Sequence, residues 1–117
     1  MPTSERGDFE SPKKSAYSVE RYDSLWERDY MRRLDRDKTV SKWTKNHGIT
    51  IQYVTEAGNV RGYRPDFLVE RIDAIKELHE VKGGQYLQNP DTRRKHEAAR
   101  NWCRKRGMKF LVLTKQV

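Results

Sequence analysis

Apolar side chains recur at three- and four-residue steps through Val19, Tyr22, Leu25, Trp26, Tyr30 and Leu34, the period of one helical face. Ser18 precedes this run as its expected N-cap, a break between Tyr22 and Trp26 stays open, and the polar residues 35–38 close it. The period then falls to two. Residues 40–43 read as a short strand or its approach, 46–48 as a turn, and the β-branched alternation of 49–54 as a half-buried strand. Ala57-Gly58-Asn59 turns the chain into residues 60–63. Residues 65–70 predict a strand opened by a proline, where a missing N–H does least harm, and 77–82 predict another, ended by Gly83-Gly84. Residues 91–106 predict the longest helix, with Ala98, Ala99, Trp102 and Cys103 inward and Gly107 behind it, before a last strand at 109–114. Residues 1–17 carry Pro2, Gly7, Pro12 and scattered charge with no period, which predicts a flexible leader before a single domain over 18–117.

Short turns between the strands of 49–82 predict antiparallel pairing. Residues 83–108 are long enough to cross over and return 109–114 parallel to 77–82. The expected fold is α/β, a mixed central sheet flanked by helices.

Composition narrows the setting. The 117 residues suit one small domain, 34% are hydrophobic against 36% charged, and the mean hydropathy is −1.10. No run approaches the roughly 20 apolar residues that span a bilayer, and the first ten residues hold no apolar secretory stretch. Cys103 stands alone, which excludes an internal disulfide and a multi-cysteine zinc site. The expectation is an intracellular protein without membrane contact, cytoplasmic or nucleoid-associated. The net charge of +8 is not spread evenly. Residues 1–81 balance fifteen basic side chains with fifteen acidic ones, whereas residues 82–117 hold ten basic and two acidic. A concentrated basic region attracts a polyanion by releasing its counterions, which makes DNA the expected partner. Arg93, Arg100 and Arg104 recur along one helical stripe with Arg94 beside it, and these four are the candidate phosphate contacts; a solvated helix face is the alternative.

Asp66 opens one predicted strand while Glu80 and Lys82 lie on the next. Residues two apart in a strand share a face, so Glu80 and Lys82 point together while Val81 and His79 point the other way. Two carboxylates and an amine at one place suit phosphodiester hydrolysis: the carboxylates hold Mg²⁺ or Mn²⁺, and the lysine orients or helps deprotonate the attacking water. None of His47, His79 and His96 has a metal-ligand spacing.

Pro65-Asp66 followed by Glu80-Val81-Lys82 resembles the signature of the PD-(D/E)XK nucleases, with the family's order of strand, strand and helix. The blocks YRPDFLVE (63–70) and EVKG (80–83) are similar to TnsA-type transposon endonucleases and equally to the nuclease domain of type III restriction enzymes. Lys45-Asn46, residues 49–54 and KHEAARNW (95–102) look more like the restriction group, GMKFLVLT (107–114) more like the transposon group. The resemblance implies a restriction-endonuclease-like core and a metal-dependent endodeoxyribonuclease. In both groups a preceding helix supplies a glutamate from an S-x-x-E pattern; Ser24-Leu25-Trp26-Glu27 matches, so Glu27 is the implied third carboxylate, with Glu20 as its rival. It further implies the Val81 carbonyl as a ligand. Both groups commonly carry another DNA-interacting or helicase domain that is not visible here, so the chain is expected to act alone, as a homodimer, or beside a partner protein that recognises the target. A non-catalytic nucleic-acid-binding subunit and a dimeric junction-selective nuclease are the competing functions.

Overall fold

A computed structural model describes residues 5–115. Its strands and helices follow in the order β1 (Gly7–Glu10), β2 (Val19–Tyr22), α1 (Leu25–Arg36), β3 (Val40–Thr44), β4 (Ile51–Val54), β5 (Val60–Tyr63), β6 (Phe67–Arg71), β7 (Lys76–Gly83), α2 (Pro90–Arg104) and β8 (Lys109–Lys115), with one 3₁₀ turn at Gly84–Tyr86. The central sheet is ordered β3-β6-β7-β8: β6 runs antiparallel to both β3 and β7, and β8 returns parallel to β7. That is the expected mixed sheet with its helical crossover.

Alternation along β6 and β7 gives the sheet two apolar faces. Phe67, Val69 and Val81 pack against Met31 and Leu34 of α1, together with Val40 and Trp43 of β3. Leu68 and Leu78 belong to the other face, with Ala99 and Cys103 of α2 and Ile51 and Tyr63 of the β4–β5 ribbon. Phe67 is wholly buried, tilted against Tyr30 at 5.4 Å and edge-on to Trp43 at 6.1 Å; burial of such a side chain contributes about 1.5–3 kcal/mol. α2 starts at the Asn89 cap, whose side chain accepts from Asp91 N and Thr92 N, with Pro90 in the first helical position. Gly107, at φ +68°, lets the chain fold back so that Met108 N donates to Cys103 O at 2.9 Å.

Three expectations need correction. Residues 1–17 are not a flexible leader along their described part: β1 pairs antiparallel with β2, and residues 1–4 lie outside the described residues. The segment between those strands is tied down by Asp35, which accepts from Lys13 N, Lys14 N and the indole of Trp43. Second, the helix starts at Leu25 rather than after Ser18. Ser24 accepts from Glu27 N and caps it, while Val19–Tyr22 is drawn into β2 by pairing that apolar spacing does not reveal. Third, the strands of 49–82 do not all pair in sequence. β4 and β5 form a separate two-stranded ribbon, and β3 takes the place beside β6. Among the described residues no helix is long and apolar enough to cross a membrane.

Candidate active site

The register that sets Phe67 opposite His79 places Asp66, one residue earlier, opposite Glu80. Asp66 Oδ2 accepts from Val81 N at 2.8 Å, a bond that fixes the carboxylate across the strand gap. Its backbone is held as well. His47 accepts from Ile49 N through Nδ1 at 2.9 Å, so its Nε2 carries the proton and donates to Pro65 O at 2.7 Å. Burial lowers the His47 pKa, which keeps this tautomer neutral at ordinary pH. His47, set aside by its spacing as a ligand, is thus an anchor for the Pro65-Asp66 corner.

Glu80 is buried on the α2 face, while Val81 belongs to the α1 face, as the strand period requires. Burial drives the carboxyl pKa of both Asp66 and Glu80 upward, and for Asp66 the Glu80 charge adds to the rise while the Val81 N–H opposes it. Two desolvated carboxylates facing each other cannot both ionise without a nearby cation. Lys82 approaches from the same face: its Nζ lies 3.9 Å from Glu80 Oε2 and 5.6 Å from the Tyr86 ring centre. The Tyr63 hydroxyl and Glu80 interact electrostatically but fall short of a well-formed hydrogen bond, since Tyr63 Oη and Glu80 Oε1 are both buried without such a partner.

Glu27 stands in the first turn of α1 and is likewise buried. Its Oε1 accepts from Asp23 N at 2.8 Å and pairs with Lys45 Nζ at 2.8 Å, while Lys45 also reaches Asp23 Oδ2 at 2.5 Å. The charges of Glu27 and Lys45 both act on Asp66, the first raising its pKa and the second lowering it, so the helix carboxylate borders the pair. Glu20, the rival, lies on β2 and is fully engaged: it accepts from Ser15 Oγ at 2.5 Å, Thr44 Oγ1 at 2.6 Å and Lys45 N at 3.0 Å. It is a fastener between β2 and β3 that also lines the cleft beside Asp66.

A cleft of about 740 Å³ opens beside Asp66, lined in part by Asp23, Lys45, Asn46, Arg64 and Pro65. The four arginines of the candidate DNA face, Arg93, Arg94, Arg100 and Arg104, are all exposed on α2; Arg100 lies over the Phe110 ring at 5.9 Å and Arg104 donates to Asn101. Lys45, Tyr63, Lys95 and His96 are the residues whose part near the site the sequence did not signal, because they come from outside the motif strands: Lys45 from just after β3, Tyr63 from β5, and Lys95 and His96 from α2.

Among the described residues no three His, Cys, Asp or Glu side chains stand close enough to form a metal cluster. The donor chemistry of the pair nevertheless fits a hard divalent cation. Both groups offer oxygen, Glu80 Oε1 lacks a partner, and the mutual repulsion calls for positive charge.

A family model described as TnsA-like endonuclease N terminal matches residues 37–115, more than half of the chain. The matched span contains Asp66, Glu80 and Lys82 and begins after α1, so Glu27 lies outside it. No curated protein matches the chain.

Proposed function

The chain belongs to the TnsA-like endonuclease N-terminal family, and from that membership we propose that it is a Mg²⁺-dependent DNA endonuclease, Mn²⁺ serving in its place. The observation that carries this reading is the buried, mutually repelling Asp66–Glu80 pair with the Lys82 amine on the same strand face. Asp66 and Glu80 would hold the metal, with Glu27 as third carboxylate and the Val81 carbonyl as a backbone ligand. A cation bound there supplies the charge that offsets the negative charge developing at phosphorus.

The chain's own residues do the positioning. The Val81 N–H keeps Asp66 Oδ2 fixed, so only its other oxygen is free to turn toward a ligand. Lys82 Nζ would orient the attacking water by hydrogen bonding. Lys45 pairs with Glu27 and holds that carboxylate in place. Arg93, Arg94, Arg100 and Arg104 hold DNA phosphates, contacts that carry no base information, so sequence preference would be weak or supplied by a partner protein or a second copy.

The test is cleavage of supercoiled and branched DNA with Mg²⁺ or Mn²⁺, run beside Lys82→Ala. Metal-dependent cuts that fall by about 10²–10⁴-fold in Lys82→Ala support the reading. Retention of DNA binding with no cleavage by the wild type on any substrate would instead favour the non-catalytic binding subunit.

A further inference from the structure

A second ammonium stands beside Glu80, brought by an element outside the motif. Lys95 lies in the second turn of α2, and its Nζ sits 5.7 Å from the Tyr53 ring centre and 5.9 Å from that of Tyr63. Tyr53 belongs to β4 and Tyr63 to β5, so the ribbon sets the Lys95 ammonium near two rings. A free surface lysine samples many rotamers; this one is half-buried and oriented. Its charge, like that of Lys82, favours the ionised form of Glu80, and with Lys82 and Arg100 it acts on neighbouring His96. Lys82 approaches Glu80 to 3.9 Å, whereas Lys95 makes no ion pair among the described residues.

An oriented ammonium without an acidic partner, set next to a catalytic carboxylate, is placed for an anion that arrives from outside. Tyr63 links it to the site, since the ring that seats Lys95 carries the hydroxyl beside Glu80. We propose that Lys95, cradled by Tyr53 and Tyr63, binds a backbone phosphate of the substrate adjacent to the phosphodiester that is cut. This rests on the nuclease reading for the word substrate, but the contact itself is readable without cleavage. The site would therefore use two lysines, Lys82 at the attacking water and Lys95 at a phosphate one step along the backbone. The β4–β5 ribbon, the element that departs from the expected sheet, serves as the support of the second lysine.

The experiment uses the full chain and a fluorescent DNA duplex, with binding measured by anisotropy in EDTA across a range of salt concentrations. Lys95→Gln should weaken binding about five- to tenfold and make the slope of log K against log salt shallower by about 0.9, one phosphate contact. Lys95→Arg should restore the slope, and Lys95→Met, an unbranched chain without the charge, should lose it as Gln does. With Mg²⁺ present, Lys95→Gln should raise KM more than it lowers kcat. An unchanged slope in both Lys95→Gln and Lys95→Met overturns the assignment, as does a loss that Lys95→Arg shares. A wild type that binds with the full slope yet never cuts overturns the nuclease reading and leaves the phosphate contact standing.

Discussion

Asp66 and Glu80 each make the other harder to ionise, and this opposition has a measurable sign. Their folded pKa values are raised, so the stability they contribute is full below the ordinary carboxyl range and is lost as pH climbs through the folded values. Buried His47, His79 and His96 titrate in an overlapping window in the opposite sense, so the whole-protein curve mixes the two. The difference between wild type and Asp66→Asn isolates the pair. In metal-free thermal melts the Asp66→Asn variant should gain on the wild type between pH 5 and pH 8, and Mg²⁺ should stabilise the wild type more than the variant. A difference that stays flat with pH would refute the electrostatic account. The candidate residues Asp66, Glu80 and Lys82 were legible as a motif because a strand's two-residue period fixes which side chains share a face. The orphaned Glu80 oxygen and the His47 anchor were not, because they depend on what other segments bring near.

At the scale of elements, the N-terminal hairpin is bound to the sheet by Glu20, beside the Asp35 contacts and the Trp43 N–H that donates to Lys14 O. Glu20 accepts from three donors, Ser15 and Thr44 hydroxyls and Lys45 N, and it is almost wholly buried. Glu20→Ala leaves those donors without their acceptor and should cost at least about 2 kcal/mol in chemical denaturation. The same variant should loosen Lys45, and with it Glu27, so that cleavage falls while Arg93, Arg94, Arg100 and Arg104 still bind DNA. Full stability in Glu20→Ala would show the hairpin to be an independent ornament. Strand β7 shows the reverse case, an element whose two faces have separate duties. Glu80 and Lys82 face the candidate site. On the α1 face His79 is locked between Tyr30 Oη at 2.5 Å and Glu77 Oε1 at 2.8 Å, the latter also paired with Arg71. Since Glu77 can only accept, the His79 Nε2 carries the proton and Nδ1 accepts from Tyr30. Tyr30→Phe would strand that Nδ1 and should cost about 1–3 kcal/mol, read as a lower denaturation midpoint with the site chemistry intact.

At the scale of the molecule, the excess charge resides in residues 82–117, whose described part includes the end of β7, α2 and β8. Because α2 carries its arginines on the exposed side and packs Ala99 and Cys103 inward, the basic surface is a property of one layer. Replacing Arg93, Arg94, Arg100 and Arg104 together by Gln should weaken DNA binding uniformly across sequences and reduce the salt slope by up to about 3.6, four phosphate contacts. If the slope holds, the cleft lined by Lys45 and Arg64 is the DNA path and the α2 face is a solvated one.

The sequence by itself determined the parallel return of β8, the shared face of Glu80 and Lys82, the inward side of α2 and the basic last third. Each follows from a local period, a crossover length or a count, which need no knowledge of distant neighbours. Tertiary structure decided the rest: that Val19–Tyr22 joins β1 instead of lengthening α1, that β4 and β5 leave the sheet, and that Glu20 bonds Ser15 and Thr44 while Glu27 pairs with Lys45. These outcomes turn on hydrogen bonds between residues far apart in the chain. A backbone edge or a carboxylate takes the partner that folding delivers, and no pattern along the sequence records which one that is.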